Sequence, residues 1–107
     1  MVDSKDKYRS RRNRARIKDL FWREWDPIGV NHAEGAEDEY DRYADEAHAM
    51  LMDEGRSAME IAGYLYYISS EYMGMGESRR LKDLALKVAN KLVTLRPILE
   101  AESDEPF

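Results

Sequence analysis

An all-α, four-helix bundle-like single domain is predicted by three observations. Apolar residues recur at three- and four-residue spacings in four separate stretches. Proline, glycine and capping residues separate those stretches. A chain of 107 residues, 43% hydrophobic and 36% charged, suits one thin core under a charged skin.

The first helix is expected to begin between Tyr8 and Ala15 and to end at Trp25, with Ile17, Leu20, Phe21 and Trp25 on one stripe. Pro27 stops it, because the residue before a proline is pushed out of helical geometry. Asp26-Pro27-Ile28-Gly29 reads as a tight turn, and Trp25 would clamp that turn onto the core. The second helix, about 38–54, puts Tyr40, Tyr43, Ala44, Ala47, Met50 and Leu51 on one face, and Gly55 ends it.

Ser57-Ala58-Met59-Glu60 is a capping box that opens a third helix, about 58–73. Its apolar set is Ile61, Tyr64, Leu65, Ile68 and Tyr72, widened by Tyr66 and Tyr67. This helix is therefore expected to be the most enclosed, with the methionines filling gaps in a Tyr-rich core. Ser78 caps a fourth helix, about 78–96, on Leu81, Leu84, Ala85, Val88, Leu92 and Leu95, and Pro97 closes it. The expected organisation is a flexible segment over 1–7, one helical domain over 8–99 and a disordered acidic tail over 100–107.

The absence of cysteine excludes disulfides, thiolate zinc sites and cysteine nucleophiles. The first twenty residues are polar and basic, unlike a signal peptide, and the longest apolar run, Ile61 to Ile68, falls far short of the ~20 residues that span a bilayer. A soluble, cytoplasmic protein with no membrane association is expected. The net charge of −5 conceals a strongly basic start, from Lys5 to Lys18, and an acidic stretch from Glu34 to Glu60.

Asp38 to Asp41, with His32, Glu34 and Glu37, could supply carboxylates to a hard cation, but the spacing matches no EF-hand loop. Helix starts attract acids for capping alone, so no metal and no cofactor is expected; Asp38 then caps and Tyr40 packs inward. The two histidines, His32 and His48, belong to no nucleophile motif, and nothing in the sequence fixes the separation of Asp26 and Asp41 as an acid–base pair. The chain is not expected to be an enzyme.

Trp25-Asp26-Pro27-Ile28-Gly29, Asp38-Glu39-Tyr40-Asp41 and Glu71-Tyr72-Met73-Gly74-Met75 together resemble motifs of a family of small, mostly uncharacterised bacterial helical proteins, over residues 22–75. Some members are labelled contact-dependent growth inhibition immunity proteins. The third motif in that family commonly reads Glu-His-Met-Gly-Leu; Tyr72 replaces the His, so no role of that imidazole carries over.

The resemblance implies a protein partner, in the immunity case a toxin. An acidic helix suits a protein that covers a basic groove, since opposite charges speed association and repel wrong partners. The expected partner-binding surface is Glu37, Asp38, Glu39, Asp45 and Glu46, beside the 26–36 loop. The rival expectation is a nucleic-acid-associated accessory protein that neutralises phosphates with Arg11, Arg12, Arg14 and Arg16. The same arginines could instead fold against the chain's own acidic helix.

Overall fold

The computed structural model describes residues 4–27, 29 and 38–103, with backbone alone for 4–10 and 102–103. Four helices are present, and no strand, among the described residues. α1 runs Ser4–Leu20 and closes in a wider π-helical turn, Phe21–Trp25. α2, Asp41–His48, closes likewise in Ala49–Asp53, and α3, Ala58–Tyr67, in Ile68–Tyr72. α4 spans Arg79–Ser103.

Each π turn ends on a backbone bond spanning five residues: Asp26 N–H to Phe21 C=O (2.9 Å), Glu54 to Ala49 (3.0 Å) and Met73 to Ile68 (2.8 Å). A left-handed residue then turns the chain away. Gly55 (φ 62°) and Gly74 (φ 74°) do this after α2 and α3, where a missing Cβ removes the steric penalty. After α1 the left-handed residue is Asp26 (φ 32°), the sole non-glycine with positive φ among the described residues.

α1 lies along α2, and α3 along α4. Both pairs are antiparallel. Arg14 and Lys18 of α1 meet Asp45 and Asp41 of α2 in reverse order, and the start of α3 sits by the end of α4, where an Arg96 Nη2 donates to Arg56 C=O at 2.9 Å. Ala44 and Ala47 in the first pair, and Ala62, Ala85 and Ala89 in the second, keep the facing helices close; all are buried. Ile17, Phe21, Trp25, Tyr40, Leu51, Ile61, Leu65, Val88 and Leu92 fill the shared core. An eight-residue α2 would not persist alone, so this burial, at roughly 1.5–3 kcal/mol per large side chain, holds it.

Boundaries and burial differ from expectation in four places. α1 begins at Ser4, ahead of the expected Tyr8–Ala15 and inside the segment expected to be flexible, while residues 1–3 lie outside the described set. α4 does not stop at Pro97 but runs through it to Ser103, so 100–103 are helical; 104–107 lie outside the described residues. A proline inside a helix costs about 3 kcal/mol. Leu99, fully buried beyond it, returns a similar amount on the scale of 1.5–3 kcal/mol, and the Arg96 bond anchors the same turn.

α3 is also less enclosed than its Tyr-rich sequence suggested: Tyr67 and Tyr72 are exposed. Nor are the methionines mainly core. Met59 and Met75 are exposed, while Met50, Met52 and Met73 pack at its edge.

The capping box at Ser57 is fully formed. Glu60 N–H donates to Ser57 Oγ (3.2 Å), and Ser57 N–H donates to Glu60 Oε1 (3.2 Å). Replacing Ser57 with Ala should lower unfolding stability by about 1 kcal/mol in urea denaturation without changing the fold. An unchanged midpoint would show that this cap is dispensable.

Candidate protein-binding site

The ends of α1 and α2 are tied together by residues from two of the sequence motifs. Asp26 C=O accepts from Gly29 N–H (3.1 Å), closing the expected turn, and its carboxylate Oδ1 accepts from the Tyr40 hydroxyl at 2.7 Å. Trp25, 2% exposed, sits against Phe21, Tyr40 and Tyr43 with ring centroids 5.0, 5.5 and 6.0 Å away. Asp26, Trp25 and Tyr40 therefore serve architecture. Asp38 does not cap α2 with its side chain, contrary to expectation; its backbone carbonyl accepts from Asp41 N–H at 3.2 Å, and Tyr40 stands at the cap position.

The acidic residues expected to form one surface are divided by helix geometry. Glu37 lies outside the described residues, as do His32 and Glu34. Asp38 and Glu39 are exposed in the turn before α2. Asp45 points to α1, with its carboxylate 3.9 Å from Arg14, and one turn earlier Asp41 lies 2.9 Å from Lys18. Glu46, a residue further round α2, faces α3 beside Tyr64 instead.

Two of the four arginines of the rival reading, Arg11 and Arg14, lie beside that same acidic helix. Arg11, Arg14 and Lys18 line a groove with Asp41 and Asp45, and none of Arg11, Arg12, Arg14 and Arg16 is without a partner. Two ion pairs, Arg14 with Asp45 and Lys18 with Asp41, thus join the basic stretch of the sequence to the acidic one across α1 and α2.

A second aromatic cluster, Tyr43, Tyr64 and the exposed Tyr72, lies on the other side of α2, along its seam with α3. Tyr72 is 58% exposed, yet its hydroxyl accepts from Arg42 Nη1 at 3.0 Å. Its ring meets Tyr43 edge-on, with centroids 6.2 Å apart. Burial pushes the Tyr43 hydroxyl above its usual range, helped by Tyr72, Glu39 and Glu46 and opposed by Arg42. Burial, and then the adjacent Glu46 carboxylate, push Tyr64 well up. Both phenols stay protonated at neutral pH. The seam is a braced aromatic surface carrying the carboxylates of Glu39 and Glu46.

Arg42, Tyr64 and Tyr72 were not among the expected site residues. Spacing placed Tyr72 over Ile68 in the core; the wider turn at Ile68–Tyr72 changes the helical phase and turns it outward. Among the described residues no group of three His, Asp or Glu side chains could hold a metal ion. Asp26 and Asp41, the carboxylates considered for acid–base work, are held by Tyr40 and Lys18. No protein-family model, curated protein or solved structure matches the chain.

Tyr40→Phe keeps the ring and removes the bond to Asp26. It should cost about 1.5–3 kcal/mol, the range for a hydrogen bond to a charged group, read as a lower denaturation midpoint at unchanged slope. A loss below roughly 0.5 kcal/mol would refute the structural role.

His48 is buried, and desolvation lowers its pKa from the usual 6.5; Arg14 adds to this, while Asp53 and Asp45 oppose it. The unfolded chain then binds the proton more readily, so His48 contributes fully above about 6.5 and its contribution is lost as pH falls through the lower folded value. His48→Gln should flatten the stability-versus-pH curve below 6.5. Parallel curves for both proteins would refute this assignment.

Proposed function

We propose that this chain is a protein-binding domain of the bacterial cytoplasm, and that the protein it binds is a toxin which it neutralises. The observation that carries the binding reading is Tyr72, an exposed aromatic held in one orientation by Arg42 and Tyr43. Tyrosine and arginine are the side chains that most often anchor protein interfaces. A ring already fixed loses little rotamer entropy on association, so more of its contact energy remains as affinity. The immunity setting is supported by the resemblance of the three sequence motifs.

The acidic part of the proposed surface is now Glu39 and Glu46, with Asp38 beside them; Asp45 is directed to Arg14. The nucleic-acid reading has less support, since Arg14 and Lys18 are occupied by Asp45 and Asp41.

Tagged protein should capture one stoichiometric protein partner from cells exposed to competing strains, and keep it at moderate salt. Tyr72→Ala, with unchanged circular dichroism, should weaken that complex by about 2 kcal/mol, roughly 30-fold. Equal capture by Tyr72→Ala would remove the seam from the interface. Recovery of nucleic acid alone, lost at moderate salt, would overturn the protein-binding reading.

A further inference from the structure

We infer that the partner contributes a basic, lysine- or arginine-bearing segment, laid across the outer face of α3 at Gly63; this rests on the protein-binding reading. Gly63 is a glycine in the interior of an ordinary α-helix. A Cβ built there would meet nothing within 4 Å, and the residue has no positive φ. Glycine at such a position costs about 1 kcal/mol against alanine, and no packing or turn within the chain requires it. Close approach of another molecule's backbone is a remaining use for a bare helix surface.

The surroundings indicate what approaches. Met59 and Tyr67, one turn before and one turn after Gly63, are 72% and 53% exposed, so the glycine sits between two uncovered apolar side chains. Glu71 follows Tyr67 by another turn and is exposed. Tyr64, 100° round α3 from Gly63 on the side towards α2, has Glu46 beside it, at the edge of this face. Glu46 and Glu71 take part in no ion pair among the described residues, whereas Glu60 is already held by Arg56 at 2.7 Å. Of the cations near this face, Arg42 is bonded to Tyr72 and Lys82 lies 5.3 Å over the Tyr66 ring, so the three carboxylates of Glu39, Glu46 and Glu71 outnumber them.

That excess selects the occupant. A second copy would set this acidic face against itself in a two-fold dimer, and nucleic acid would bring phosphates to carboxylates. A basic amphipathic segment satisfies both features, its apolar side chains on Met59 and Tyr67 and its cations on Glu46 and Glu71.

The test uses isotope-labelled full-length protein and a synthetic amphipathic helical peptide of leucine and lysine, with a leucine–glutamate twin as control. Amide shifts from the lysine peptide should centre on Gly63, Tyr67, Glu71 and Glu46, and the twin should give none. Gly63→Leu fills the bare face and should weaken peptide binding at least tenfold. Gly63→Ala, whose methyl enters open space, should be folded and more stable than wild type, separating blocked docking from damage to the helix. Glu46→Gln with Glu71→Gln should weaken binding and reduce its salt dependence.

Shifts confined to α1, equal binding of both peptides, or undiminished binding by Gly63→Leu would overturn the inference. So would concentration-dependent shifts at this face without peptide, which would identify a second copy. A native partner captured equally by wild type and Gly63→Leu but lost with Tyr72→Ala would overturn it too, while leaving the protein-binding reading intact.

Discussion

The bond from the Tyr40 hydroxyl to Asp26 fixes how α2 returns along α1. Asp26 occupies a left-handed conformation that few non-glycine residues adopt, immediately before a proline that narrows its choices further. Such a backbone persists only where its surroundings over-determine it. Here the Trp25 ring is pinned in the core on one side, Gly29 closes the turn on the other, and Tyr40 reaches back from α2 to hold the carboxylate. Because Tyr40 is itself fully buried against Trp25, the bond and the packing select the same geometry. Arg14 then meets Asp45, and Lys18 meets Asp41, in the register this corner sets.

Those ion pairs orient more than they stabilise. Exposed pairs contribute about 0.2–1 kcal/mol each, small beside the burial of Ile17, Phe21 and Trp25 on the same helix. By placing the basic helix against the acidic one, the fold brings opposite charges together at Arg14 with Asp45 and at Lys18 with Asp41. On the opposite edge of α2, Glu46 lies beside Tyr64 and Arg42 bonds Tyr72 of the α3 helix end.

The fold was legible wherever a signal was local. Ser57 and Glu60 form their capping box from adjacent sequence alone, Gly55 and Gly74 stop their helices, and Ile17, Phe21 and Trp25 fall on one stripe because they are one and two turns apart. The differences arise where helix winding or packing against a neighbour decides the outcome. Pro97 reads as a stop until Leu99 is placed in the core and Arg96 on the Arg56 carbonyl just before α3. Tyr72 reads as core until the last turn of α3 widens. Asp45 and Glu46 read as one patch until their 100° separation on the helix sends them to different neighbours.

The seam between α2 and α3 follows from the way the two helix pairs meet. α2 packs on α1 and α3 packs on α4, so α2 and α3 are joined to each other by side chains more than by close backbone approach. Only long side chains can bridge such a separation, which is why Tyr43, Tyr64 and Tyr72 occupy it. A tyrosine that reaches across a gap keeps its ring in contact and sends its hydroxyl towards the rim, where Arg42 meets Tyr72 and Glu46 lies near Tyr64. The spacing that leaves this edge uncovered therefore also makes it aromatic, braced and charged. In the proposed recognition role the hydroxyls of Tyr43 and Tyr64 stay in their neutral form, and the Glu46 carboxylate lies beside Tyr64 at the rim.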